Sequence, residues 1–271
     1  MWIVLFSTFL WAADPVTTAI DQSQSLALKK DRQKAAAVLS QAIGETRPPL
    51  KGRARLIETL DNIAKVFFTD KGQKLFELGQ SAMFENPEMA LGQYREALTL
   101  EGDNILILDS IAKVQLGKAD CAGAATTVQK ARALDPYAGE PAVLELRTLV
   151  CQKNFDDFRA KLKLLPPVEK SQDWFVQYLV GQDFLQQKMW RKATEVLLKV
   201  SEEEPQFPEP YYWLTKAGTE AGRDTDPWAE KYVSLCKGIS LRARQRFSLE
   251  PRLCVNAKEV EDELAKKSTD I

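Results

Sequence analysis

Four cysteines are the side chains whose type and number most directly suggest chemistry: Cys121, Cys151, Cys236 and Cys254. They include no Cys-x-x-Cys pair, so neither a dithiol redox motif nor a zinc knuckle is indicated. An even set of separated cysteines is typical of disulfide bonds in an oxidising compartment, whereas in the cytosol the same residues would be reduced, buried thiols. The cellular location therefore decides which interpretation applies.

The sequence of 271 residues contains no histidine. This absence removes the commonest general base near neutral pH and every catalytic triad or dyad that needs an imidazole. It also removes the zinc sites that use histidine ligands. Carboxylate-only, lysine-dependent or Ser-Lys catalysis stays open in principle, but no nucleophile–base pair is visible. We therefore expect a protein that is not an enzyme and that holds no metal or cofactor.

The clustered charges have simple interpretations as solvent-exposed surface. The runs at 202–204 and 259–263 are expected to be solvated helix faces rather than acid–base pairs. A net charge of -1 gives no general attraction to nucleic acid or to an anionic membrane. Surface ion pairs are therefore the simpler interpretation of four arginines near Phe247: Arg242, Arg244, Arg246 and Arg252.

The first thirteen residues form an apolar run that ends in Ala12 and Ala13. The run is too short to span a bilayer, which needs about 20 apolar residues. Its length suits the hydrophobic region of a secretory signal that is cleaved after one of the two alanines. We therefore expect residues 1–13 to be a signal peptide and the protein to be exported, to the periplasm or the cell exterior. The alternative is an N-terminal helix that packs onto the fold.

The elements that must position these residues are helices. From about Ala27 onward the apolar residues recur at helical spacing, without the sustained alternation that is typical of strands. Short polar or proline-containing breaks divide the chain into segments of about 25 to 40 residues, each long enough for two short helices. With 45% apolar and 28% charged residues, the chain can bury a core. The pattern predicts an array of helical pairs.

A repeat of about 34 residues can be counted in the sequence, as is typical of helical arrays. Ala90, Tyr94 and Ala97 are followed 34 positions later by Ala124, Val128 and Ala131. Small residues allow two helices to approach closely, and a proline ends the second helix of a pair. Over 69 positions, Ile111, Ala112, Ala124, Val128, Ala131 and Pro136 correspond to Val180, Gly181, Ala193, Leu197, Val200 and Pro205.

This pattern resembles the tetratricopeptide repeat family, whose unit is a 34-residue helical pair. The resemblance covers residues 71–220 or so and is clearest in 111–136 and 180–205. It implies an all-α, right-handed α-solenoid with atypical N-terminal helices and a C-terminal capping helix. The expected organisation has four parts: a signal peptide (1–13), an N-terminal helical region of degenerate repeats (14–70), tetratricopeptide-like repeats (71–237) and a C-terminal cap (238–271).

In this family the first helices of successive pairs line a concave groove that binds other polypeptides. Here the corresponding faces carry aromatic side chains and hydrogen-bond donors, which suit an extended peptide. The candidate groove residues are Phe76, Gln80, Lys113, Arg147, Tyr178, Gln182, Tyr212 and Lys216. The alternative is that they are ordinary half-exposed positions of helices.

The resemblance implies a non-catalytic protein–protein interaction scaffold of the periplasm or cell envelope. Its expected partner is a protein or peptide, with no nucleic acid, and the chain is expected to have no membrane span. A self-assembling structural component of an envelope complex is the alternative, and the sequence leaves the oligomeric state open.

The repeat register predicts two disulfide bonds. Cys121 begins the second helix of one pair, and Cys151 ends the first helix of the next. Neighbouring helices of a solenoid are antiparallel, so these residues come within the Cα separation of about 4.4–6.8 Å that a disulfide requires. Cys236 and Cys254 are paired largely by elimination, and their bond would fasten the cap to the last repeat. Four free thiols in a cytosolic protein are the alternative.

Overall fold

The structure, a computed structural model, describes residues 14–46, 50–165 and 173–269. The expected signal peptide, residues 1–13, lies outside these ranges. The described residues form α-helices and no β-strand, which confirms the expected all-α class. The helices are α1 (Pro15–Leu28), α2 (Arg32–Glu45), α3 (Leu50–Lys65), α4 (Asp70–Ala82), α5 (Pro87–Glu101), α6 (Ile105–Gly117), α7 (Cys121–Leu134), α8 (Gly139–Cys151), α9 (Phe155–Leu164), α10 (Trp174–Gln186), α11 (Trp190–Glu203), α12 (Glu209–Glu220), α13 (Asp226–Cys236), α14 (Leu241–Arg246) and α15 (Ala257–Thr269).

The turn inside four of the pairs has the same geometry, so the two helices of each pair are connected in the same way. In α1–α2, α6–α7, α8–α9 and α10–α11, one residue with a left-handed φ of 57–62° lies two positions after the end of the first helix. These residues are Lys30, Ala119, Lys153 and Lys188. The second helix then begins at an Asp or Asn in three of these pairs, whose side chain accepts a backbone N–H one turn into the helix: Asp31, Asp120 and Asn154. Such side chains satisfy N–H groups that a helix start leaves unpaired.

The helices stack as a repeat array. Each first helix packs against the second helix of its pair, most extensively in α4–α5, α6–α7 and α10–α11. The first helices of successive pairs also touch, since α6 contacts α8, α8 contacts α10 and α10 contacts α12. This is the arrangement of a helical solenoid built from tetratricopeptide-like pairs. Within the ranges described, none of the helices combines the length and the apolar character that crossing a membrane requires.

The small residues of the repeat register lie where helices cross. A β-carbon added to Gly79 in α4 would lie 2.4 Å from the Tyr94 ring of α5, and one added to Gly181 in α10 would lie 2.7 Å from Leu197 of α11. The corresponding alanines on the second helices, Ala90 and Ala193, are fully buried at 0% exposure. Close approach of paired helices therefore depends on these positions, because protein cores resist added volume.

Gly79→Ala is expected to lower the free energy of unfolding by about 1–3 kcal/mol, although alanine favours helix, because the methyl group collides with a rigid ring. Gly92→Ala is the matched control: Gly92 is an exposed position in α5, and a β-carbon there meets nothing within 4 Å. The control should raise stability by about 0.5–1 kcal/mol. Urea denaturation of both variants tests this, and shifts of the same sign would contradict it.

Both cysteine pairs lie at disulfide distance in the combination expected from the sequence. Cys121 at the start of α7 is bonded to Cys151 at the end of α8, with Cα atoms 5.7 Å apart. Cys236 at the end of α13 is bonded to Cys254, with Cα atoms 5.5 Å apart. The first bond joins two neighbouring pairs. The second closes a loop, residues 237–253, which we call the C-terminal loop.

A buried ion pair joins the N-terminal helices to the repeats. Arg32, at the start of α2, lies 3.7 Å from the Glu101 carboxylate, and their side chains are 2% and 0% exposed. The Arg32 guanidinium also donates to the backbone carbonyl of Ile63 at 3.0 Å. Glu101 accepts from the backbone N–H groups of Phe68 at 2.6 Å and Thr69 at 2.9 Å. The pair therefore fixes α2, the connection after α3 and the end of α5 together.

Candidate interaction groove

The first helices of successive pairs, α4, α6, α8, α10 and α12, carry all eight candidate groove residues. We call the face that these five helices present together the groove. In α4 the buried side carries Gly72, Leu75 and Gly79, and the candidates Phe76 and Gln80 are only partly buried. The side chains do not form one continuous open surface, because part of the chain lies across the middle of the groove.

The C-terminal loop occupies that middle part. Its tip, residues 247–251, reaches across α10 and α8 as far as α6, where a β-carbon added to Gly117 would lie 3.4 Å from Pro251. Leu249 packs against a core cluster of α6, α7 and α8 that includes Leu116 and Leu144. Part of the region expected as a C-terminal cap, residues 238–256, therefore runs back over the repeats, while α15 packs against α13.

The tip packs one aromatic ring against the start of α10 and the connection that precedes α12. Phe247 is 1% exposed. Its ring centroid lies 5.9 Å from that of Trp174, in an edge-to-face arrangement, and 5.0 Å from that of Phe207. Such ring pairs stabilise beyond the area that they bury. The two rings form an aromatic subsite of the groove that the loop fills.

The tip also places a carboxylate on two candidate groove residues. Glu250 accepts a hydrogen bond from a terminal guanidinium nitrogen of Arg147 in α8 at 2.8 Å and from the Tyr178 hydroxyl in α10 at 3.3 Å. Trp213 of α12 donates its indole N–H to the Tyr178 hydroxyl at 3.2 Å. The Arg147 and Glu250 side chains are 9% and 5% exposed. The chain itself thus supplies an anion to two of the donors that the sequence places in the groove.

Burial and charge shift the pKa values around this ion pair. Burial acts to lower the pKa of Arg147, yet the Glu250 carboxylate, together with Tyr178 and Glu209, outweighs it, and the pKa is raised overall. Burial, followed by the Glu250 carboxylate, raises the pKa of Tyr178 well above its ordinary value. Glu209, the first residue of α12, accepts the backbone N–H of Cys254 at 2.7 Å. Burial and the nearby Glu250 raise the pKa of Glu209 to about 8, so it is protonated at neutral pH.

Beside the loop a cleft of about 560 Å³ stays open between α8, α10, α12 and α15. Gln182 and Lys216 of the candidate set line it, together with Gln186, Leu185 and Trp213. The Lys216 ammonium group lies 3.2 Å from Glu259 and 3.7 Å from Glu263, both in α15. The cleft therefore combines apolar walls, amide donors and a lysine that already has two carboxylate partners.

The other candidates make contacts within the repeats. Gln80 donates to the Ser110 hydroxyl at 2.8 Å, and Lys113 forms an ion pair with Glu140 at 2.5 Å. Phe76 is half-buried, with its ring centroid 5.3 Å from that of Phe67 and 5.9 Å from that of Tyr94. Tyr212 is buried, with its ring centroid 5.5 Å from that of Tyr232. Among the residues that the structure describes, no group of acidic or cysteine side chains could hold a metal ion.

Sequence reasoning missed three groups of this site: Phe247, Glu250 and Glu209. The sequence carries no signal for them, because Arg147 stands at the register position of Lys113 and Gln182, which are only partly buried. A buried arginine requires an anion. That anion comes from a residue 103 positions away, and the helical period carries no information about it.

Comparisons with known proteins give only distant similarities. No protein-family model matches the sequence, and no curated protein matches it. The structure is similar to that of MamA, residues 41 to the end, from Desulfovibrio magneticus RS-1, with 18% identity and a TM-score of 0.46 over 62% of this chain and 95% of that chain. It is also similar to that of a tetratricopeptide repeat protein from Parabacteroides merdae, with 16% identity and a TM-score of 0.46 over 92% and 93%. By the packing of its own helices, the chain is an all-α repeat protein built from tetratricopeptide-like pairs.

Proposed function

We propose that this chain is a non-catalytic protein–protein interaction scaffold of the periplasm or cell envelope that binds a polypeptide segment of its partner in the groove. One observation carries the proposal: the groove already buries a non-helical polypeptide segment, the tip of the C-terminal loop. That segment is held by an aromatic subsite and by the Arg147–Glu250 ion pair. A surface with these contacts has the anchoring pockets that recognition of a peptide requires.

The cysteines support the proposed location. Both pairs are bonded, and disulfides persist in oxidising compartments such as the periplasm and the cell exterior. The short apolar run of residues 1–13, which suits a secretory signal, points the same way.

The open cleft beside the loop is the part of the groove that a partner can reach first. Its Trp213 and Leu185 offer apolar contacts, and its Gln182 and Gln186 offer amide donors. An extended segment presents side chains of alternating direction and backbone carbonyls that need donors. The cleft therefore suits a segment with apolar anchors that continues toward the aromatic subsite.

Gln182→Glu with Gln186→Glu is expected to weaken partner binding at least about tenfold, or about 1.4 kcal/mol. The change removes two amide donors and adds two negative charges close to Glu220 and Glu263, which line the same cleft. Capture of a partner from a cell-envelope extract, followed by calorimetry with the purified partner, measures the effect.

The matched control is Gln24→Glu with Gln129→Glu, which adds the same charge at exposed positions of α1 and α7. This variant should bind as the wild type does. Equal losses in both double variants would place binding on another surface. If the wild type captures no partner and forms concentration-dependent oligomers in sedimentation, self-assembly replaces the scaffold as the function.

A further inference from the structure

We infer that the partner segment carries an aromatic side chain three residues before a carboxylate, and that it binds by replacing the tip of the C-terminal loop. The tip bears this same pair as Phe247 and Glu250. The inference rests on the proposed function and specifies the chemistry of the partner. The segment that occupies the groove in the complex thus belongs to another protein and makes the contacts that the tip makes in this structure.

The aromatic subsite favours a ring over an aliphatic side chain. Trp174 meets Phe247 edge to face, at an interplanar angle of 87°, and the Phe207 ring contacts both of them, at 35° to that of Phe247. Edge-to-face contacts depend on the quadrupole of a π-system, which an aliphatic side chain lacks.

The carboxylate subsite is incompletely satisfied by the tip. Glu250 bonds to one terminal nitrogen of Arg147, while the buried Nε of Arg147 has no hydrogen-bond partner. A carboxylate can engage an arginine through two parallel N–H···O bonds, which is the stronger arrangement. A partner carboxylate is not held in a loop closed by the Cys236–Cys254 bond. It can therefore accept from Nε and from a terminal nitrogen of Arg147 together.

Replacement of the tip requires the loop to open while the repeats stay folded, and the two ends of the loop are fixed independently of the tip. Helix α13 precedes the loop, α15 follows it and packs against α13, and the Cys236–Cys254 bond closes its base. The six-residue helix α14 inside the loop has no buried residue. Its outer attachment is an ion pair between Arg246 and Glu204, in which the arginine side chain is 61% exposed. Exposed ion pairs and short segments open more readily than a packed core.

The test uses the full chain and a capped synthetic peptide of residues 243–253. In the wild type the tip competes with the peptide, so the apparent affinity falls by the fraction of molecules in which the groove is free. Phe247→Ala in the protein weakens the competitor and should bind the peptide at least tenfold more tightly than the wild type. Leu241→Ala, an exposed position of the same loop, is the matched control and should leave the affinity unchanged.

Two altered peptides test the chemistry of the partner. Replacing the phenylalanine of the peptide by alanine, or its glutamate by glutamine, should each weaken binding to Phe247→Ala at least tenfold. If Phe247→Ala does not melt cooperatively, Glu250→Gln takes its place, because it removes the charge and keeps the shape. Hydrogen exchange on the wild type gives a second readout: excess peptide should speed exchange of residues 243–253 and leave α10 protected.

Three results would overturn the inference. The first is that a folded loop variant does not bind the peptide and that, in the wild type, the amides of the tip exchange only when the whole protein unfolds. The tip is then a permanent part of the fold. The second is a wild-type dimer that the peptide dissociates, since the tip of a second copy is then the occupant. The third is a groove-bound partner, lost on Gln182→Glu with Gln186→Glu, that the peptide fails to displace; in that case the proposed function still stands.

Discussion

Arg32→Ala is expected to lower the free energy of unfolding by about 3–5 kcal/mol, as removal of one partner from a buried ion pair does. The variant leaves the Glu101 carboxylate, at 0% side-chain exposure, without the cation beside it. It also removes the donor to the backbone carbonyl of Ile63 and to those of Val66 and Asp103. Buried acceptors that lose their donor carry the full cost of desolvation. Urea denaturation followed by circular dichroism measures the loss.

Arg95→Ala in α5 is the matched control, because Arg95 is an exposed arginine of a neighbouring helix. Its effect should stay within about 0.5 kcal/mol. A double variant, Arg32→Met with Glu101→Met, should recover part of the loss, since an apolar pair needs no compensating charge. If Arg32→Ala costs no more than the control, the ion pair does not hold the N-terminal helices to the repeats.

Glu209→Gln is expected to be more stable than the wild type by on the order of 4 kcal/mol above pH 8 and equally stable below about pH 4.5. The pKa of Glu209 is raised from 4.5 to about 8 by burial and by Glu250, against the opposing effects of the Cys254 N–H, Arg147 and Arg252. Between these values the unfolded chain loses its proton and the folded chain keeps it. The contribution of the protonated Glu209 side chain to the free energy of unfolding is therefore fully present below pH 4.5 and is lost as the pH rises to 8.

Denaturation curves of the wild type and Glu209→Gln at several pH values test this. Since the chain has no histidine, no imidazole titrates in the same window. Asp109, whose pKa is raised to about 8 by burial and by Glu140, contributes equally to both proteins and cancels in the difference. Glu203→Gln, at an exposed position of α11, should follow the wild type. Parallel curves for the wild type and Glu209→Gln would show that Glu209 ionises normally.

The sequence predicts the repeats well because their information is local. Gly79 and Gly181 mark the helix crossings by their size alone, and the structure places each against a large side chain of the partner helix. The register of Cys121 and Cys151 follows from the same period, since one begins a second helix and the other ends the next first helix. Such features depend on residues within one or two repeats of each other.

The occupied groove could not be predicted in the same way. The segment around Phe247 and Glu250 has no helical period, and its partners lie far away along the chain. Arg147 and Glu250 are separated by 103 positions, and Tyr178 and Glu250 by 72. The helix face gives the position of the candidate groove residues but not what covers them. Arg147 occupies a donor position of the repeat register, so its burial and its need for an anion do not show in the sequence.

The C-terminal loop also changes how cooperatively the array can unfold. In a plain solenoid each repeat touches only its neighbours, so its stability is a sum of local terms and a terminal pair can fray by itself. The tip links the end of the chain to α6, α8 and α10 at once. The last pair therefore cannot separate from the array while the tip stays in the groove. The C-terminal half is expected to unfold as one cooperative unit rather than one pair at a time. A partner that takes the place of the tip would remove this link, so that each pair in this half would again depend only on the pairs next to it.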